Sequence, residues 1–189
     1  GIERLPKSRR QNGTLVELIY TALLLNNIDF KNEAEEFDYV INVVINYTNR
    51  ILFLKLLESQ LKSFNQNSEF SFMSHNKIHS FNQLSELFFG AMARPEDKRG
   101  PLTEKYKDVP YLNSSLFERS DVEDKLRISP SDLNDNVELP LFKNSVLRKR
   151  VPRGTKTLPT LQYLLQFLEA YDFETQGSDG GKEIINASV

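Results

Sequence analysis

The chain has 189 residues, of which 39% are hydrophobic and 26% are charged, and its net charge is −2. This composition supports a packed core and excludes a chain that is disordered throughout. A net negative charge gives the whole chain no electrostatic attraction for nucleic acid, so any contact with DNA requires a local basic patch. Cysteine is absent, which excludes disulfides and cysteine-ligated metal sites.

The sequence shows no signal for secretion or membrane insertion. No uninterrupted apolar run reaches about 18 residues, so we expect no membrane-spanning segment. The first ten residues lack the apolar stretch of a signal peptide. Together with the lack of cysteine, these features predict a cytoplasmic protein. Because the chain begins at Gly1 and reaches Val189 without a helix stop signal nearby, we also expect it to be a fragment of a longer protein.

The first predicted element is a helix that follows a polar, basic extension. Thr14 is a suitable helix N-cap, and Glu17 three residues later completes the capping-box pattern. Apolar residues follow at helical spacing until Asn26 and Asn27, which end the pattern. Residues 1–33 are therefore predicted to form an N-terminal extension and one helix.

A long second helix is predicted to dominate the fold. Acidic residues gather at 33–36, where the helix dipole favours them, and apolar side chains then occupy nearly every helical face from Tyr39 to Leu61. A helix that is apolar all round is usually central and covered on most sides. Its polar residues indicate a protein interior with a few buried polar partners rather than a bilayer. These interruptions are Asn42, Asn46, Asn49, Arg50 and Lys55.

The rest of the chain is predicted to contain two shorter helices and little strand. Residues 81–92 and 158–171 show apolar residues at helical spacing. Prolines restrict the segment between them to at most a short β-hairpin near residues 127–147. We therefore predict a mainly α fold, an irregular helical domain around a long buried central helix. Its parts after the first helix are a helical core at 34–110, an irregular segment with a basic loop at 111–157, and a C-terminal helix and linker at 158–189.

Two groups of residues match loose patterns of catalytic metal sites. His75 and His79 are four residues apart, as two ligands on one helix face would be, but Asn76 stands where a zinc protease has glutamate. Glu123 and Lys125, with upstream aspartates, match the pattern of a Mg²⁺-dependent nuclease. Their segment is too polar for the core strand that such a site needs. We therefore interpret His75 and His79 as surface histidines, and the match of Glu123 and Lys125 to the nuclease pattern as accidental.

The sequence lacks motifs for nucleotide, acyl or methyl chemistry. Residues 177–182 are rich in glycine, but a helical pattern precedes them and Glu183 follows where a phosphate loop needs Ser or Thr. A nucleophile-elbow serine, a glycine-rich dinucleotide loop and an Asn-Pro-Pro-aromatic run are all missing. We therefore predict no catalytic, cofactor-binding or metal-binding residue in this chain.

The clearest charge cluster is a basic loop that contains no acidic residue. Its five cations are Arg148, Lys149, Arg150, Arg153 and Lys156. Flanking prolines keep such a loop exposed, so non-specific contact with DNA phosphates is one interpretation. The alternative is a solvated loop, or one that pairs with the acidic segments at 33–38 or 118–124.

Four degenerate motifs occur in order between about residues 38 and 189. They are NRILFLKLLE at 49–58, LFF at 87–89 followed by Pro95, VPYLN at 109–113 with LFE at 116–118, and LLQF at 164–167 with YDF at 171–173 ahead of IIN at 184–186. With this set, the chain resembles the segment that precedes the methyltransferase core in type IIG-like restriction–modification enzymes. In those enzymes a restriction endonuclease is fused to an adenine-N6 DNA methyltransferase.

The resemblance implies a non-catalytic helical connector or scaffold that couples the DNA cleavage and adenine methylation modules. S-adenosylmethionine and Mg²⁺ are then cofactors of the parent enzyme and not of this fragment. The implied partners are the flanking nuclease and methyltransferase domains, with double-stranded DNA as the substrate of the parent. Two alternatives stay open: a DNA-phosphate-binding module that uses the loop at 148–156, and a part of a type I restriction enzyme subunit.

The chain departs from the common form of the third motif. That form has Asn-Gly-Gly before Leu-Phe-Glu, whereas Ser114 and Ser115 stand at the two glycine positions here. Serine enters positive φ less readily than glycine. The turn is therefore less free to adopt positive φ, and we interpret the departure as a difference between subfamilies.

Overall fold

The computed structural model describes residues 3–65, 71–172 and 186–187. The prediction of a mainly α fold is confirmed. The main helices are α1 (Leu15–Asn26), α2 (Glu33–Asn65), α3 (Phe81–Ser85), α4 (Asp121–Leu126) and α5 (Thr160–Glu169), and α3 continues directly into a π-helix at Glu86–Met92. Short 3-10 turns lie at Lys7–Arg9, Glu96–Lys98, Gly100–Leu102, Ser115–Phe117, Pro130–Asp132 and Val146–Lys149.

Helix α1 begins and ends where the sequence predicts. The side chain of Thr14 accepts a hydrogen bond from the Glu17 backbone N–H, and Asn27 ends the helix in the left-handed conformation with φ of 47°. The predicted capping box is only half formed. The Glu17 carboxylate does not return to the Thr14 backbone but binds the guanidinium of Arg4 at 2.7 Å, which holds the N-terminal segment against α1.

Helix α2 is buried along one face rather than covered on most sides. The face that packs against the rest of the core carries side chains that are at most 1% exposed: Val40, Val43, Tyr47, Ile51 and Leu54. On the opposite side Ile45 is 47% exposed, Leu52 36% and Phe53 39%. Helices α1 and α4 both pack against α2, and the apolar residues beyond their reach remain at the surface.

Residues Glu33–Phe64 are also long enough and apolar enough to span a membrane. The core helix of a folded domain can meet the same criteria of length and composition. The side chains of Arg50, Lys55 and Glu58 are buried on α2. Each of the three forms hydrogen bonds with a residue outside the helix. We therefore describe α2 as the central helix of the folded domain.

Two short antiparallel strand pairs complete the described fold. Strand β1 (Glu138–Pro140) pairs with β2 (Thr157–Pro159), with Leu139 opposite Leu158, and β3 (Tyr171–Asp172) pairs with β4 (Asn186–Ala187). The predicted short hairpin is present and β1 lies within the predicted range of 127–147, but the second strand lies further along the chain, at Thr157–Pro159. The physical reason is that residues 141–156 form a long connection of turns, so that β1 pairs with the segment just before α5.

The N-terminal segment packs closely against β1. A Cβ built on Gly13 would lie 2.4 Å from the backbone oxygen of Glu138, so this position requires glycine for the close approach of two backbones. The buried hydroxyl of Thr160 donates to the Gly13 carbonyl at 2.7 Å. The segment before α1, β1 and the start of α5 therefore meet at one point. Most buried apolar residues between Leu18 and Leu168 form one cluster, which does not include Leu141 and Leu147.

Candidate functional site

The polar centre of the domain is a buried ion pair between Arg50 and Glu123. Arg50 lies in the middle of α2, and Glu123 is the third residue of α4. The two Nη atoms of Arg50 donate to the two carboxylate oxygens of Glu123 at 2.6 and 2.8 Å. Both residues are at most 2% exposed. A bidentate pair of this kind has a single well-defined geometry, because the planar fork of the guanidinium matches the carboxylate.

Arg50 also binds the backbone of the segment that precedes α4. Its Nε donates to the Leu116 carbonyl at 2.6 Å, and Nη2 donates to the Glu118 carbonyl at 2.7 Å. The rings of Phe88 and Phe89, from the π-helix, lie 5.6 and 5.0 Å from the guanidinium carbon. The cation is therefore surrounded by acceptors and aromatic faces, which compensates the cost of its burial.

The carboxylate of Glu123 is fully occupied by hydrogen bonds. Besides Arg50, the backbone N–H and the hydroxyl of Ser120 donate to it at 2.8 and 2.9 Å, and Ser120 in turn caps α4 in a complete capping box. Burial alone raises the pKa of Glu123, but the hydrogen bonds from Arg50 and Ser120 lower it below its usual value. A carboxylate held ionised in this way is a poor general acid, and both of its oxygens accept hydrogen bonds from within the domain.

The interpretation of Glu123 and Lys125 as a nuclease site is therefore wrong. Glu123 lies on a helix and not on a strand, and Lys125 is bonded to the hydroxyl of Tyr39. The neighbouring Asp124 binds Arg119 at 2.6 Å. Among residues 3–65, 71–172 and 186–187, no group of three or more His, Asp or Glu side chains is arranged to hold a metal ion.

The two histidines do not form a pair. Nδ1 of His75 lies 2.6 Å from the Glu169 carboxylate, which also accepts the His75 backbone N–H. The backbone N–H of His79 instead donates to the Gln83 side chain. Glu169 ends α5, so the pair between His75 and Glu169 fastens the loop after α2 to the C-terminal helix. The glycine-rich stretch at 177–182 lies outside the described residues.

A second buried polar cluster joins α2 to the segment at residues 71–74. Glu58 accepts the Met73 backbone N–H at 2.7 Å, and Lys55 donates to the Met73 carbonyl at 3.2 Å. Lys62 also binds Glu58 at 2.7 Å. Arg50 and Lys55 thus bind backbone carbonyls outside the helix, and Asn46 donates to the Ser120 hydroxyl at 3.0 Å. Asn42 and Asn49 lie on the exposed face, where Asn42 donates to the Asp38 carbonyl of its own helix.

The predicted basic loop is the connection between β1 and β2, residues 141–156. Nη2 of Arg148 donates to the Leu141 carbonyl at 2.7 Å, and Nη1 of Arg150 donates to the Glu169 carbonyl at 3.3 Å. These two arginines therefore hold the connection in shape. Lys149, Arg153 and Lys156 have exposed side chains. In the described part of the chain, Arg148, Lys149, Arg153 and Lys156 form no ion pair with the acidic segments at 33–38 or 118–124.

Two polar groups that matter to the structure have no clear signal in the sequence. Arg99 is 3% exposed and donates to the carbonyls of Arg94 and Tyr106 at 3.1 and 2.7 Å. These hydrogen bonds close the loop that begins at Arg94 and ends at Tyr106. The hydroxyl of Tyr47 is buried and has no hydrogen-bond partner among the described residues. Burial raises its pKa strongly, so Tyr47 is held neutral.

A cleft beside the C-terminal part of α2 contains the third motif of the resemblance. Its volume is about 420 Å³, and its walls include Leu61, Arg99, Val109, Pro110 and Tyr111. The Tyr111 ring is 42% exposed at this cleft. Ser114 has φ of −137° and accepts from the Leu116 N–H, so the two serines fit this turn without positive φ.

These features define a mainly α domain whose buried charges bind other parts of the same domain. Over residues 1–188 the chain matches the family described as "Domain of unknown function (DUF7814)", and it belongs to that family. No curated protein and no solved structure matches the chain.

Proposed function

We propose that this domain is a non-catalytic helical connector in a cytoplasmic DNA restriction–modification enzyme. In this proposal it lies between a nuclease module and an adenine methyltransferase module of the type IIG kind. S-adenosylmethionine and Mg²⁺ serve those modules, and double-stranded DNA is the substrate of the whole enzyme.

The observation that carries the proposal is the contact between two of the motifs behind the resemblance. Arg50, from the motif at residues 49–58, binds the backbone carbonyls of Leu116 and Glu118, from the motif at residues 109–118. The ion pair with Glu123 then fixes the same segment on α2. Three polar residues of the first motif, Arg50, Lys55 and Glu58, thus serve internal packing, which is what a scaffold needs.

The exposed apolar face of α2 supports the same proposal. Ile45 and Leu52 are partly exposed on the side of α2 opposite its buried face. Phe53 beside them is also partly exposed, and its ring packs edge-on against Phe117. The exposed Tyr111 and its cleft add a second surface near the C-terminal part of α2. Apolar surface of this kind is typical of a contact between domains, and a connector requires contacts with both of its neighbours.

The test has two parts. The isolated 189-residue chain should show neither adenine methylation nor DNA cleavage when it is supplied with duplex DNA, S-adenosylmethionine and Mg²⁺; turnover of either kind would remove the proposal. The reading frame of the parent gene should continue into a glycine-rich adenosyl-binding loop and an Asn-Pro-Pro-aromatic run. If the nuclease and methyltransferase are instead encoded in separate chains, the type I alternative is favoured.

A further inference from the structure

Charge is distributed very unevenly along the chain. The thirty residues from Leu139 to Leu168 contain six cations and no acidic residue. Since the whole chain carries a net charge of −2, the remaining residues carry −8. The positive stretch runs from the second residue of β1 through the β1–β2 connection and β2 to the last residue but one of α5, and Glu138 and Glu169 lie directly outside its two ends. A basic surface on an otherwise acidic protein is the pattern expected for a local contact with a polyanion.

The structure divides the six cations into two groups with different roles. Arg148 donates to the carbonyls of Leu141 and Phe142 at 2.7 and 3.0 Å, and thereby folds the connection back on itself. Arg150 binds the end of α5 through the Glu169 carbonyl. Both arginines are therefore part of the internal hydrogen bonding of this region.

All six cations are exposed, and the second group consists of Lys143, Lys149, Arg153 and Lys156. Within the described residues, none of these four side chains has a hydrogen bond or an ion pair. Lys143 was not among the cations predicted from the sequence, because it lies outside the compact cluster at 148–156. It joins the group because the connection folds back at Arg148.

The backbone that carries these four cations is well defined. The hydroxyl of Thr155 donates to the Pro152 carbonyl at 2.8 Å, and the Leu141 backbone N–H donates to the Lys156 carbonyl at 2.8 Å. Gly154 has φ of 93°, a value that side-chain-bearing residues rarely adopt. A connection held in one conformation loses little entropy when its side chains bind a ligand.

We propose that Lys143, Lys149, Arg153 and Lys156 form a contact surface for the phosphate backbone of double-stranded DNA. The choice of DNA as the polyanion rests on the proposed function. Positive charge presented from a fixed backbone is suited to contacts with phosphates, which position a duplex.

An anionic membrane fits this surface less well than DNA does. Phe142 is the large hydrophobic residue of the connection that is exposed, and its ring packs edge-on against Tyr163 with centroids 6.4 Å apart. Binding to a membrane surface requires an apolar face that enters the lipid in addition to the charge. One partly packed ring supplies little of that area.

The number of contacts sets the expected salt dependence. Each neutralised phosphate contributes about 0.9 to the slope of log K against log salt concentration. Four contacts give a slope of about −3.6, which corresponds to an affinity loss of about 150-fold between 50 and 200 mM salt.

The experiment measures binding of the 189-residue chain to a fluorescently labelled 20-base-pair duplex by anisotropy, at several salt concentrations. The test variant is K143Q/K149Q/R153Q/K156Q. The matched control is K7Q/R9Q/K31Q/K98Q, which removes four exposed cations from other parts of the surface and changes the net charge equally. Far-UV circular dichroism and thermal unfolding confirm that both variants are folded.

We expect the test variant to lose at least 30-fold in affinity at 50 mM salt and most of the salt dependence, while the control retains wild-type affinity within threefold. Equal losses in the two variants would overturn the proposal, because they would show a net-charge effect. Absence of duplex binding by the wild-type chain, or binding only to phosphatidylglycerol vesicles, would overturn it as well. These outcomes are independent of whether the parent gene encodes a methyltransferase, so the failure of this inference and that of the connector proposal are distinguishable.

Discussion

The buried ion pair between Arg50 and Glu123 gives the sharpest test of how the domain is held together. The substitution Arg50→Met keeps much of the side-chain volume but removes the charge and all donors. It leaves Glu123 as a buried carboxylate without its cation, and it removes the partner of the Leu116 and Glu118 carbonyls. Because both members of the pair are at most 2% exposed, water cannot replace the missing donors without opening the core.

The expected cost follows from the kind of interaction that is lost. Removing one partner of a buried ion pair typically destabilises a protein by about 3–5 kcal/mol. A domain of this size has a free energy of unfolding of about 5–15 kcal/mol, so Arg50→Met should consume a large part of it. Glu123→Gln should cost less, because the amide oxygen still accepts from Arg50. The two substitutions should be coupled by at least about 1 kcal/mol, since the residues are in direct contact.

Urea unfolding followed by far-UV circular dichroism measures these differences, which suits a chain without tryptophan. The control is Glu104→Gln, which removes the carboxylate charge from the exposed pair with Lys107 and should change stability by less than about 0.5 kcal/mol. A loss below about 1 kcal/mol for Arg50→Met, or additive effects of the two core substitutions, would refute the reasoning that this pair fixes α4 on α2.

Three further predictions concern separate features. Gly13→Ala should destabilise the domain by about 1–3 kcal/mol in urea unfolding, because its Cβ would lie 2.4 Å from the Glu138 oxygen; an unchanged midpoint contradicts this. Since hydrogen bonds lower the pKa of Glu123, its stabilisation is complete above the unfolded value of about 4.3 and is lost as the pH falls through the folded pKa. In the Glu123→Gln variant the free energy of unfolding should therefore fall less steeply as the pH is lowered from 6 to 3. An equally steep fall would contradict this prediction. Tyr47→Phe removes a buried hydroxyl that lacks a partner and should leave the melting temperature equal or higher; a clear decrease would reveal an unrecognised hydrogen bond.

Local signals explain which helices the sequence predicts well. Thr14 and Asn27 set the ends of α1 through their own backbone neighbours, so a single sequence contains the necessary information. The mainly α fold follows from similar local patterns. The second strand of the β1–β2 pair does not, because the connection of residues 141–156 folds through hydrogen bonds made by Arg148 that no local rule predicts.

The exposure of α2 depends on tertiary structure in a different way. Its sequence is apolar on nearly every face, but the pattern does not say how many faces the rest of the chain can cover. Local sequence patterns also cannot identify the partner of Arg50, because Glu123 is 73 residues away in the chain. The cluster at 148–156 was predictable as a group, whereas the division between the structural arginines and the other cations required the fold.

The way in which Arg50 holds the segment before α4 bears on how this region can vary among relatives. Arg50 binds the main-chain oxygens of residues 116 and 118, and every amino acid supplies such an oxygen. Phe117 between them is fully buried, whereas the Glu118 side chain is exposed. Substitutions should therefore be tolerated at position 118 and strongly disfavoured at positions 50, 117 and 123. Deep mutational scanning of these four positions would measure this contrast.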